Sequence, residues 1–199
     1  MLYVYDNQIV EDLRKSFNSS EVGEPVVCVV PPENITSIAA QLQDDKIKFP
    51  LIAVTREKNI PVDSALTNFS RMHVGVPTVF DERKNEIYYE KSTPIKLDYT
   101  LVCMSTNTAD IDELIRELLF KYTSQYFLTI RVPYESKRKI RFGVRIDPSE
   151  EIEWYTTTSD YLNSGQLHSA GIKLHIDGAV LITYTPAKLQ RTEYYVDVE

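Results

Sequence analysis

The chain has 199 residues, of which 43% are hydrophobic and 26% charged, ordinary proportions for a globular protein. That length predicts a single domain, 1–199, built on one core with some decoration. The formal charge of −7 argues against a general nucleic-acid binder, and with no run of about 18 apolar residues no membrane-spanning helix is expected.

In chain order, Asp6 to Phe17 reads as a helix, with Ile9, Val10, Leu13 and Phe17 on one face and Asp6 or Asn7 placed to cap it. The apolar opening Leu2 to Tyr5 is short, and Glu11 and Asp12 follow it, so it does not make a secretory signal. Pro25 introduces the β-branched run Val26 to Val30, a buried strand. After Pro31-Pro32, a second helix is predicted from Ile35, Ile38, Ala39 and Leu42. These elements make 1–48 a helix–strand–helix segment, either semi-independent or part of the main core. Phe49 to Val54 is a strand, and 56–84, with Pro61, Gly75 and Pro77, reads as a long irregular excursion.

Glu86 to Glu90 reads as a strand, and from Ile95 to Cys103 apolar and polar positions alternate as in a half-buried strand. The Ser-Thr-Asn-Thr cluster at 105–108 supplies a turn and an N-cap for the best helix in the chain, about 108–123, whose stripe is Ile111, Leu114, Ile115, Leu118, Leu119 and Tyr122. Phe127 to Val132 is a strand closed by Pro133, and 139–146 is a strand with one apolar and one cationic face. Asp177-Gly178, between Ile172–Ile176 and Ala179–Tyr184, carries the signal of a tight β-hairpin. Beyond Pro186 an extended C-terminal arm, 186–199, is expected. The fold class is therefore α+β: a mixed, mostly antiparallel sheet with one main helix on a face, N-terminal helices, and a C-terminal hairpin and arm.

The six glycines make no phosphate-binding loop or nucleophile elbow, and His73, His168 and His175 lack zinc-ligand spacing. Cys28 and Cys103 lie in apolar strands and read as buried free thiols. The N-x-S/T triplets at Asn18, Asn34 and Asn68 read as coincidences of composition. His175 reads as a surface imidazole, and Glu150 with Glu151 as a solvated loop. No catalytic residue, metal or cofactor is expected. A carboxylate site assembled from Asp98, Asp147 or Glu150 is the enzymatic alternative.

The charge is unevenly placed. Arg131, Lys137, Arg138, Lys139, Arg141 and Arg145 face one acid, Glu135, within 131–145, a local +5 that leaves −12 on the remaining chain. Such opposed patches suit docking between subunits, and clustered Lys and Arg also suit phosphate. The thirteen tyrosines and Trp154 divide between core positions such as Tyr99 and Tyr122 and interface residues.

Three segments carry a resemblance: FPLIAVTREKNI (49–60), STPIKLDYTLVCMSTNTADIDELIRELLFKY (92–122) and FLTIRVPYESKRKIRFGVRID (127–147). Together they are similar to phage virion proteins of the tail-terminator or tail-completion type, over about half the chain. The resemblance implies a small subunit that forms a ring, usually hexameric, at the head-proximal end of a phage tail. Its partners would be copies of itself, the tail tube or sheath, and neck or connector proteins. It implies a location in the virion after assembly in the host cytoplasm. The expected subunit interface is Arg131, Lys137, Arg138, Lys139, Arg141 and Arg145, with Tyr194 and Tyr195 in the arm. Another neck or baseplate role, or DNA contact through 131–145, is the alternative.

Overall fold

A computed structural model describes residues 1–17, 25–30, 49–62, 78–81, 86–132, 139–156 and 167–187. The first helix, α1, spans Leu2–Phe17 and buries Tyr5, Ile9, Val10, Asp12, Leu13 and Phe17. It starts before Asp6 because Leu2 and Tyr5 extend the apolar stripe by a turn. Tyr5 is fully buried, and its hydroxyl donates to the Val180 carbonyl (3.0 Å) and accepts from the Val180 N–H (2.9 Å). Asp6 is thus not a cap. Inside the helix, its carboxylate takes Arg56 Nη1 at 2.7 and 2.8 Å and the Tyr99 hydroxyl at 2.6 Å.

The strands are β1 (Val26–Val29), β2 (Leu51–Arg56), β3 (Thr78–Asp81), β4 (Glu86–Ser105), β5 (Tyr126–Arg131), β6 (Lys139–Arg145), β7 (Glu153–Thr156) and β8 (His168–Ala187). They form one sheet in the order β1-β2-β4-β8-β6-β5, with β3 added to β4 and β7 added to β8. Among the described strands only the β1–β2 pair is parallel. The second described helix, α2, spans Thr108–Tyr122, and the Asn107 side chain caps it by accepting the Ala109 N–H. This is the predicted mixed, mostly antiparallel α+β sheet with its main helix on a face. The second predicted N-terminal helix and the residues of the arm beyond Ala187 lie outside the described residues.

The core lies between one face of the sheet and the two helices. Strand alternation sends Ile95, Leu97, Tyr99, Leu101 and Cys103 of β4 inward with Ala170, Ile172, Leu174 and Ile176 of β8. They meet Ile111, Leu114, Ile115, Leu118 and Tyr122 of α2 and the stripe of α1. A smaller cluster on the opposite face joins Val30, Leu51, Ala53, Val102, Met104 and Leu167. β1 and α1 are therefore packed onto the same sheet as the rest of the chain.

Two predicted breaks are absent. Glu86–Ser105 is one continuous strand of 20 residues, and so is His168–Ala187. Asp177-Gly178 does not turn the chain. Ile95 pairs with Ala179 and Leu97 with Ile176, so Asp177 and Gly178 together oppose the single residue Lys96. That two-against-one count is a β-bulge, and Gly178 adopts the positive φ of 79° that such a bulge uses. Within the stretch 56–84 predicted as irregular, β2 continues to Arg56, Val62 bridges to Ile95, and 78–81 is strand β3, while 63–77 and 82–85 lie outside the described residues.

Candidate assembly surfaces

Strand alternation places the described members of the cationic segment on the sheet's outer face. In β5–β6 the register pairs Arg131 with Lys139, Thr129 with Arg141 and Phe127 with Gly143, so these share one side. The inner side of the same strands carries Leu128, Ile130, Phe142 and Val144 in the core. Arg131, Lys139 and Arg141 are exposed, and among the described residues none of them makes an ion pair. The Arg141 guanidinium instead lies 4.1 Å from the centroid of the Phe127 ring.

Arg145 differs from its neighbours. Its Nε reaches Asp177 at 2.7 Å and its Nη1 reaches Asp147 at 3.5 Å, so its charge is already answered within the chain. Lys137, Arg138, Tyr194 and Tyr195 lie outside the described residues. Of the six cationic residues of the expected interface, Arg131, Lys139 and Arg141 are the described ones without an ion pair among the described residues.

A second polar cluster occupies the middle of the same outer face. β6 and β7 run one after the other along a single edge of β8, opposite residues 175–177 and 168–171. The connection between them folds back through a turn in which the Glu150 N–H donates to the Asp147 carbonyl (3.0 Å). This brings Glu150 to His175 Nε2 (3.3 Å) and to Lys173 Nζ (3.7 Å), while Asp98 of β4 meets His175 Nδ1 (2.8 Å). Asp147 is held below the usual carboxylate range by hydrogen bonds from the Ser149 N–H and hydroxyl, and Arg145 and His175 nearby add to this.

The acids weighed from the sequence as a carboxylate site, Asp98, Asp147 and Glu150, do converge, but around His175, which reads from the sequence as surface. An alternation argument puts His175 on the outer face and cannot tell that β4 and the 146–152 connection bring acids to both its ring nitrogens. Chemically the cluster is the Lys173–Glu150 ion pair and two contacts of the His175 ring, which tie the connection to the sheet. Among the described residues no group of three or more His, Cys, Asp or Glu could hold a metal ion.

On the helical side, a cleft of about 640 Å³ lies between α1 and α2, lined by Leu13, Phe17, Leu118 and Phe120 among others. Phe120 stands at its side 81% exposed. The floor is polar. Asp12, buried on α1, accepts from the Tyr122 hydroxyl (2.6 Å) and pairs with Lys121 Nζ (2.6 Å), and Lys121 also donates to the Ser16 hydroxyl. The sequence signal for this contact was a single acid on the apolar stripe of α1. No family model and no curated protein matches the chain.

Proposed function

We propose that the chain is a non-catalytic structural subunit of a tailed-phage particle, of the tail-terminator or tail-completion type. In this reading it forms a hexameric ring with copies of itself at the head-proximal end of the tail and joins the tube or sheath to the neck. The three resembling segments fall on β2, on β4 with α2, and on β5 with β6, the elements that make up most of the core. The observation that carries the reading is the β5–β6 corner: a terminal strand of the sheet with an exposed ring and three exposed cationic side chains that make no ion pair among the described residues. Charges left unanswered on a folded subunit suit a complementary neighbour.

The test is mass photometry of the purified protein, alone and mixed with the tail-tube subunit. A hexameric ring in either condition supports the reading, and a stable monomer in both refutes it. The same corner favours one other reading, contact with DNA, because the Phe127–Arg141 stack beside Arg131 and Lys139 offers both charge and a ring face. That reading requires DNA affinity that falls steeply with salt and is lost in Arg131→Ala/Lys139→Ala/Arg141→Ala.

A further inference from the structure

The cationic corner has a counterpart at the other end of the same edge of β8. Strand β7 and the residue pair before it carry Glu151 and Glu153, both exposed and, among the described residues, without an ion pair. Directly after them, Trp154 is 52% and Tyr155 42% exposed. Tyr155 is held in place. It lies flat over Gly171, where an added Cβ would come within 2.9 Å of its hydroxyl oxygen and 3.0 Å of its Cε2, and its hydroxyl donates to Glu153 at 2.6 Å. A large ring that is exposed yet fixed loses little freedom when a partner covers it, which is the property of a binding anchor.

The two patches cannot neutralise each other within one copy. Gly143 lies opposite Asp177 and Glu153 opposite Gly171, six residues apart along β8, or roughly 20 Å at about 3.3 Å per residue. Arg141 and Lys139 lie further still from β7, because β6 runs away from it in that direction. Such a separation is about twice the screening length of physiological salt. Within the corner itself Arg131 and Lys139 are direct cross-strand partners, an arrangement of like charges that an isolated subunit only tolerates. One patch is cationic with the Phe127 ring, the other anionic with the Tyr155 ring on the same outer face, Trp154 standing opposite the core residue Ala170 on the other face, and the two patches sit at different places on the surface. A two-fold contact would use both patches of both copies in a single pair and stop at a dimer. A head-to-tail contact sets each against its opposite and uses both patches once per copy, as a closed ring demands.

We propose, resting on the ring reading above, that neighbouring subunits join head to tail, the Phe127–Arg131–Lys139–Arg141 corner of one copy seating the Glu151–Tyr155 strand of the next. The experiment uses two charge-reversed variants at exposed positions, Arg131→Glu/Arg141→Glu and Glu151→Lys/Glu153→Lys, each checked for wild-type helicity and melting. In the condition where the wild type assembles, alone or with the tail-tube subunit, each variant by itself is expected to lose the ring. An equimolar mixture is expected to regain it, because the reversed corner of one fits the reversed strand of the other. Rings formed by either variant alone, or no recovery on mixing, overturn the proposal while leaving the ring reading intact. Assembly that survives Arg131→Glu/Arg141→Glu while DNA binding disappears would assign the corner to DNA instead. If the wild type forms no assembly in either condition, an Arg141→Cys copy mixed with a Glu153→Cys copy decides: no intermolecular disulfide above the level of each copy alone overturns both readings.

Discussion

Replacing Asp12 with alanine probes how α1 is fastened to the rest of the fold. The carboxylate is buried and answers two donors on α2, the Tyr122 hydroxyl and the Lys121 ammonium, both at 2.6 Å. Removing it leaves the hydroxyl of a fully buried tyrosine without its acceptor, a loss of about 1–3 kcal/mol. It also strands a cation whose side chain is only 18% exposed, and breaking a buried pair from one side costs about 3–5 kcal/mol. The two losses overlap, and Lys121 keeps the Ser16 hydroxyl and the Asp12 backbone carbonyl (3.3 Å) as remaining partners. We therefore expect a loss of about 3 kcal/mol, which for a chain of this size lowers the melting temperature by about 6–12 °C. Tyr122→Phe removes one donor and keeps the ion pair, so it should cost about 1 kcal/mol. Urea unfolding followed by far-ultraviolet circular dichroism measures both. A loss below about 1 kcal/mol for Asp12→Ala would refute the reasoning, since it would mean that water already serves these groups.

Four further outcomes follow from the packing. Gly178→Ala places a side chain at a φ of 79° and should destabilise by about 1–2 kcal/mol in the same assay, although space for the methyl exists. Phe120→Ser should change the stability of the subunit by less than about 0.5 kcal/mol, because that ring is already in water. Burial raises the phenols of Tyr5, Tyr99 and Tyr122 above their ordinary value, helped in the last two by Asp6 and Asp12. Their contribution is intact below the unfolded value of about 10 and is lost as pH rises above it, by about 1.4 kcal/mol per pH unit for each phenol. Urea midpoints measured from pH 8 to 11.5 should therefore be flat and then fall, with a shallower fall in Tyr122→Phe. Finally, burial pushes the Cys103 thiol up to about 12, so iodoacetamide at pH 8 should leave it unmodified in the native protein and alkylate it in urea.

What the sequence made legible was local. The stripe Ile111, Leu114, Ile115, Leu118 and Tyr122 with its Asn107 cap located α2 to within a residue, and alternation from Ile95 to Cys103 assigned the two faces of β4 correctly. The misreadings all depended on a distant strand. Asp-Gly favours positive φ whether the chain turns or merely bulges, and only the ladder with β4 selects the bulge at Gly178. Pro94 invites a break, yet it falls where β4 has run past β2, which ends opposite Tyr99, so the missing N–H costs little. β7 is four residues with two aromatics in an acidic stretch, and it becomes a strand because β8 offers it an edge. The assembly surfaces divided the same way. Composition located the cationic segment, but only the structure separates Arg145, paired with Asp177 and Asp147, from Arg131, Lys139 and Arg141, which have no ion pair among the described residues.

The position of β8 in the chain bears on how the protein comes into being. It is the last described strand, yet it lies between β4 and β6 in the middle of the sheet. Its ladder joins residues 86–105 to 168–187, about eighty positions apart. Until those residues leave the ribosome, β4 has no neighbour on that side, β6 has only β5, β7 has no strand to lie against, and Tyr5 lacks the backbone it bonds at Val180. Long-range pairing of this kind is slow to form and all-or-none in effect. A chain ending before β8 therefore lacks the strand against which β4, β6 and β7 are placed, and the Glu151–Tyr155 strand has nothing to fix it beside the β5–β6 corner.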